Sequence, residues 1–212
     1  MSETAAVAFV DLAGFTAITE VYGDRSALRL LELFEGIVAM ALGRGQAPLK
    51  WIGDEAMLSF PDAETALAVL GRLLGACRSE PRLPLTRTGL NHGPVLRRGH
   101  DLFGATVNIA ARITALAAPG QMIAAGHAAE AAMALGIAVR DLGRVAVRSV
   151  AEPLRLHALE LAEAIDPAWI DPVCKMHAPF AAFQRPPEGA PWFCSERCAE
   201  AYRRSPETYP LP

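Results

Sequence analysis

The chain has 212 residues, 52% of them hydrophobic and 20% charged, with a formal net charge of −3. That length holds one ordinary domain plus a small one, and the composition is globular rather than disordered. The slight acidity gives no electrostatic case for a nucleic-acid partner, the N-terminus lacks a signal-peptide pattern, and the longest apolar stretches are interrupted and too short to span a bilayer, so a soluble, cytoplasmic protein without a membrane partner is expected.

The elements alternate between strand and helix. Residues 6–12 are apolar and strand-like, ending in Asp11 and a turn at Gly14. Residues 27–41 carry Leu28, Leu31, Phe34, Ile37, Val38 and Ala41 at a helical period. Residues 49–52 and 56–60 read as two short strands around the tight turn Gly53-Asp54. Pro61-Asp62 opens a helix that runs to about Cys77, with acidic residues at its start. A strand region at 85–96 precedes a helix at 104–117 that Pro119-Gly120 ends. Further strands are predicted at 121–125, 137–147 and 154–161, with an Ala-rich helix near 128–135. The order predicts a mixed α/β sandwich of helices over a sheet. From Ile165 prolines become frequent and cysteines appear, which places a boundary near 163–166.

Several polar residues stand in short apolar or Gly-containing frames. Asp11 lies in VAFVDLAGFT, Lys50 and Asp54 in KWIGDEAMLSF, Arg87 in RTGLNHGPV, and Asp101, Asn108 and Arg112 in HDLFGATVNIAARI. Asp11 and Asp54 both sit at turns, where side chains are exposed. Two converging carboxylates suit a hard cation such as Mg²⁺ that leaves positions open for phosphates and water. Asn108 and Arg112 are four residues apart on one predicted helix and share a face.

These four frames, in this order, resemble the catalytic domain of class III adenylyl and guanylyl cyclases over roughly residues 4–160. The resemblance implies a ferredoxin-like α+β fold for residues 1–163. It implies that Asp11, Asp54 and the backbone of Leu12 hold two Mg²⁺ or Mn²⁺ ions in each active site. It implies that Lys50 donates to adenine N1 while Asp101 accepts from the exocyclic amine, and that polarity favours ATP because guanine reverses both groups. It further implies that Asn108 orients the ribose and that Arg112 neutralises charge on the α-phosphate. Arg87 is a further candidate for binding substrate phosphate. In similar homodimeric cyclases one protomer supplies the aspartates and the other the purine and transition-state residues, so a homodimer is implied. Only LRRGH separates GPV from DLFG, a shorter arm than many relatives have.

The segment beyond residue 165 carries Cys174, Cys194 and Cys198, spaced C-x19-C-x3-C. Cys194 and Cys198 are expected one turn apart on a helix, with Cys174 arriving from a turn after Pro172. Three thiolates suit a soft or borderline metal such as Zn²⁺ or Cu⁺, and His177 is the nearest candidate for a fourth ligand. Residues 166–212 resemble a YHS (TRASH-like) metal-binding domain in D-P-V-C, F-C-S-x-x-C and P-E-x-Y, with Lys175 where Gly is usual. Cys77 is read as a core residue. The expected function is an adenylyl cyclase that turns ATP into cyclic AMP and pyrophosphate, with metal or redox control at the cysteine module. The alternative is a catalytically silent nucleotide or metal sensor on the same fold.

Overall fold

The first apolar run makes a long strand next to the middle of the sheet. In the computed structural model, which describes residues 2–163, 165–178 and 189–211, β1 (Ser2–Leu12) pairs antiparallel with β3 (Glu55–Phe60) on one side and β4 (Thr86–Arg98) on the other. β2 (Lys50–Ile52) extends the β3 side, and β5 (Asp101–Phe103) folds back on the end of β4. β6 (Met122–Ala125) lies parallel to β4, and β8 (Leu154–Leu159) and β7 (Val139–Val145) complete the order β2-β3-β1-β4-β6-β8-β7. The first half, β2-β3-β1-β4, has the strand order of a ferredoxin-like core, with α2 (Asp24–Leu42) and α3 (Ala63–Ser79) as its crossovers.

Alternation along β1 divides the molecule into layers. Ala6, Ala8, Val10 and Leu12 point into the main core with α2, α3, α5 (His127–Ala134) and the short α1 (Phe15–Tyr22). Ala5, Val7 and Phe9 point the other way, against Val107 and Ala110 of α4 (Ala105–Leu116). Because the side-chain period of a strand is two, Asp11 falls on the α4 side. So do its register partners Glu55 and Arg87, and Lys50 by way of its partner Met57. The polar residues of the site are thus phased to one face by the same alternation that builds the core.

α1 is absent from the sequence expectation. Phe15, Thr16, Ile18, Thr19, Val21 and Tyr22 are aromatic or β-branched and have modest helix propensity, so packing of Ala17 and Ile18 into the core holds this helix. β5 is a second addition, three residues long and paired only at the tip of β4. A third difference concerns Cys194, which precedes α6 (Glu196–Arg204) rather than lying on it. Ser195 accepts from the Cys198 backbone N–H as the N-cap, and Ser is a strong helix starter, so the helix begins at Glu196, two residues after Cys194.

α4 sits on β4 at a glycine. A Cβ at Gly89 would stand 2.4 Å from Thr114 Oγ1 and 2.6 Å from both the Ala110 carbonyl oxygen and the Thr114 amide nitrogen. Asn91 Nδ2 donates to the Thr106 carbonyl at 3.2 Å, and Thr106 Oγ1 donates to the Pro94 carbonyl at 2.7 Å, which fixes the start of the helix on the same strand. Gly89→Val is therefore expected to cost about 3 kcal/mol through overpacking against helix backbone that cannot move aside, measured by urea unfolding. A loss under about 0.5 kcal/mol would contradict this packing.

Candidate active site

The end of β1, the start of β3 and the start of β4 bring together Asp11, Asp54, Glu55 and Arg87. Asp54 lies in the β2–β3 turn, where Gly53 takes the left-handed φ of 63° that the tight turn requires. Asp54 comes within hydrogen-bonding reach of Asp11. Burial, together with the neighbouring Asp11 charge, pushes the Asp54 carboxyl up to about 6. Burial, Asp11 and Asp54 push Glu55 up to about 7. Arg87 answers this crowding: its Nε donates to Asp11 Oδ2 at 2.9 Å, and its second guanidinium nitrogen also reaches that oxygen. Sequence reading placed Arg87 at a substrate phosphate. In the structure its partner is Asp11, directly across the β1–β4 ladder. Glu55 was missed, although it directly follows Asp54; opposite Asp11 in the β1–β3 register, it becomes a third acid only when the strands pair.

This donor set fits a hard divalent cation. Three carboxylates share one half-buried corner, and two of them are held toward their neutral forms by mutual repulsion and burial. A cation bound by oxygen ligands would relieve both effects. Leu12 buries its side chain in the main core, so only its backbone faces this corner.

The second pair also meets. Lys50 Nζ donates to both oxygens of Asp101, at 2.9 and 2.7 Å, and Asp101 Oδ1 accepts from the Leu102 N–H at 2.8 Å. Lys50 holds the Asp101 carboxyl below the usual carboxylate range. Both side chains keep about a third of their surface exposed, at 37% and 32%, so the pair adds about 0.2–1 kcal/mol to stability and can open for a ligand.

Asn108 and Arg112 share a face of α4, as the spacing predicts, and it is the outer one. Val107, Ala110, Ile113 and Thr114 are buried on the sheet side, and at about 100° per residue Asn108 and Arg112 lie opposite them. Asn108 is exposed, and Arg112 donates to the Arg148 carbonyl. The chain therefore brings Asp11 to Asp54 and Lys50 to Asp101, but it turns Asn108 and Arg112 away from its own sheet.

A second cluster lies in the C-terminal segment. Cys174 Sγ is 3.4 Å from Cys194 Sγ, which is 3.8 Å from Cys198 Sγ. Three sulfurs bound to one Zn²⁺ at about 2.3 Å would stand about 3.8 Å apart, so the spacing fits a single thiophilic ion. Hydrogen bonds from Cys174 and Cys194 pull the Cys198 thiol down to about 4, while hydrogen bonds with Cys194 and Cys198 push the Cys174 thiol up. The fourth polar group is the buried Asp171 carboxylate. One of its oxygens and the three sulfurs lie within 4.8 Å of one another. Asp171 accepts from the Val173, Cys174 and Cys194 amides and so also organises the loop. His177, the nearest candidate for a fourth ligand, is instead buried opposite Ile170 in a β-bridge and lies outside this group. Val173, Cys174 and Cys198 are buried in the main core, and Cys77 is buried in α3.

No family model matches the chain. Among curated proteins, an adenylate cyclase of Streptomyces griseus is 38% identical over 112 residues, which is 52% of this chain and 28% of that protein. The chain thus spans less than a third of that relative. Among solved structures, the adenylyl cyclase CyaB from P. aeruginosa superposes with a TM-score of 0.64 at 20% identity, covering 78% of this chain and 96% of that one. An adenylate/guanylate cyclase/hydrolase from Silicibacter pomeroyi gives a TM-score of 0.60 at 25% identity, covering 75% and 97%. The fold is the mixed α/β fold of these nucleotide cyclase structures. Among the described residues no helix is long and apolar enough to cross a membrane.

The acid cluster predicts a pH dependence of stability. Asp54 and Glu55 have folded-state values above their ordinary ones, so their protonated forms favour the folded state. That contribution is full below about pH 4 and is lost as pH rises through about 6 and 7. In EDTA, Asp54→Asn should raise stability at pH 8 by about 1 kcal/mol, after discounting for solvent screening, and the gain should shrink as pH falls through about 6 and vanish below about pH 4. Thermal melts across pH measure this; a destabilised Asp54→Asn at pH 8 would contradict it.

Proposed function

We propose that the protein is an adenylyl cyclase acting as a homodimer. The observation that carries this reading is the division of the polar residues. The acids sit in a half-buried corner on the α4 side of the sheet, whereas Asn108 and Arg112 point outward from α4, away from those acids, where a second chain can meet them. In an isologous C₂ pair, each outward face of α4 meets the acids of the partner, giving two equivalent sites. Ile52, Leu96, Phe103 and Leu116 are large apolar side chains, each at least 45% exposed, and they lie on the β2–β3 turn, the β4–β5 hairpin and α4, the elements such a contact would use. The adenylate cyclase from Streptomyces griseus supports the activity.

In this reading Asp11, Asp54 and the Leu12 backbone bind two Mg²⁺ or Mn²⁺ ions, with Glu55 beside them. Bound cations of this kind supply Lewis acidity, easing loss of the ribose 3′-hydroxyl proton and neutralising phosphate charge. The chain's own residues do the rest. Asn108 orients the ribose so that its 3′-oxygen faces the α-phosphorus. The 3′-hydroxyl gives its proton to water, the O3′–Pα bond forms, the bond from Pα to the bridging oxygen breaks, and pyrophosphate leaves with that bond's electron pair. Arg112 presents a planar fork of donors to the α-phosphate as charge accumulates there. Arg87, released from Asp11 when cations bind, becomes available to the departing phosphates. Lys50 and Asp101 open their ion pair to read adenine, Lys50 donating to N1 and Asp101 accepting from the amine. Guanine would leave both unsatisfied, at about 1–3 kcal/mol each. The three cysteines, with Asp171, bind Zn²⁺ or Cu⁺. We read the cysteine segment, residues 166–212, as a YHS-like module, and the protein as cytoplasmic.

The test is identification of the product by mass after incubation with Mg²⁺ or Mn²⁺ and either nucleotide. Cyclic AMP from ATP is expected, with kcat lowered at least 100-fold in Arg112→Ala at little change in KM. Lys50→Ala should cut the preference for ATP over GTP by tenfold or more. No cyclic product from either nucleotide would overturn the enzyme reading, and cyclic GMP alone would overturn the purine assignment.

A further inference from the structure

The helix that follows Asp11 is held at both ends by the cysteine segment. Asp11, Leu12, Ala13 and Gly14 lead directly into α1. Gly14 caps that helix with a left-handed φ of 77°. A Cβ there would lie 3.0 Å from the Cys174 carbonyl carbon and 3.1 Å from its oxygen, so the Cys174 backbone rests on Gly14. Leu85 ties the same two segments together: its N–H donates to the Lys175 carbonyl at 3.0 Å, and its carbonyl accepts from the Ala13 N–H at 2.8 Å. Lys175 itself holds φ 57°, a left-handed conformation uncommon outside glycine. Its ammonium donates to the Pro172 carbonyl at 2.5 Å, which closes this loop over Cys174. At the far end of α1, the Tyr22 hydroxyl lies 3.1 Å from Cys198 Sγ, 3.5 Å from Cys194 Sγ and 2.5 Å from Ser195 Oγ.

α1 has little stability of its own. It is eight residues long and rich in β-branched and aromatic residues, so its position depends on what packs against it. The Cys174 backbone meets its first turn and the Cys194–Cys198 segment meets its last. We propose that Tyr22 is a positioning residue through which a thiophilic cation on Cys174, Cys194 and Cys198 fixes α1 and, with it, the loop that carries Asp11. This rests on the reading of Asp11 and Asp54 as the site of the catalytic cations. With the cysteine site filled, the three sulfurs are held at one centre and the Tyr22 contact is rigid. With it empty, the thiols separate, α1 loosens, and the Asp11 carboxylate loses its register with Asp54. The consequence is a coupling between a soft-metal site and a hard-metal site that share no ligand, and by linkage each must tighten the other.

The test measures binding rather than turnover. Full-length protein, reduced and stripped of metal, is titrated with Mn²⁺ while free Mn²⁺ is followed by electron paramagnetic resonance, with and without one equivalent of Zn²⁺. Loading Zn²⁺ should tighten Mn²⁺ binding on the order of tenfold. Co²⁺ in place of Zn²⁺ should give thiolate-to-metal charge-transfer absorption. Tyr22→Phe should keep that absorption and lose the tenfold coupling. The comparison of wild-type protein with and without Zn²⁺ does not depend on the variant folding. Mn²⁺ binding that is indifferent to Zn²⁺ would overturn the coupling alone. Failure of Mn²⁺ to bind either form would overturn the catalytic-site reading and the proposal with it. Absence of thiolate–Co²⁺ absorption, or a disulfide among the three cysteines under reducing conditions, would overturn the soft-metal site. Tyr22→Phe with full coupling would remove Tyr22 from the route.

Discussion

The seating of α4 on β4 decides what the rest of the molecule can do. The helix backbone lies so close at Gly89 that no other side chain fits there, and Asn91 and Thr106 hydrogen-bond its first turn to the same strand. Its rotation about its own axis is thereby set. Val107, Ala110 and Thr114 face the sheet, and the opposite face, with Asn108 and Arg112, has nowhere to point but outward. The same sheet face carries Asp11, Glu55, Arg87 and Lys50 by strand alternation. A single steric constraint thus separates two sets of polar residues that the proposed cyclase reaction would need together, and the proposed isologous pair of chains is the simplest way to reunite them.

Charge sets the second constraint. Asp11, Asp54 and Glu55 are crowded into a half-buried corner where two of them are pushed toward neutrality. Arg87 relieves the strain at Asp11. Lys50 and Asp101 neutralise each other in the same way between β2 and β5. The Lys50–Asp101 pair is partly exposed and therefore weak, whereas the Asp11 side of the Arg87 pair is largely buried.

Much of this was legible in the residues. The strands around Gly53-Asp54, the helix after Asp62 and the helix from 105 follow from local signals: a turn glycine, an N-cap whose carboxylate accepts from Thr65 N–H at 2.6 Å, and a phenylalanine–glycine break before an apolar period. The shared face of Asn108 and Arg112 follows from helical spacing, though its outward direction depends on Gly89, which only the packed structure explains. Glu55 joins Asp11 through pairing between strands, which no local pattern encodes. α1 escaped because its composition favours strand and its helicity is imposed by packing. At the cysteine cluster the spacing identified the three sulfurs. The spacing puts Cys194 on the helix, which Ser195 instead caps after it, and it offers His177 as the nearest fourth candidate without marking Asp171, because a buried carboxylate that accepts from amides leaves no mark in sequence.

The central claim is that one site is built from two chains, and mixing two disabled variants tests it most directly. Asp54→Ala lacks an acid and Arg112→Ala lacks the outward guanidinium, so each homodimer has both sites broken. Equal mixing and exchange should make half the dimers heterodimeric, each with one site intact, and restore about a quarter of wild-type activity. Heterodimers that form but recover no activity would contradict the account.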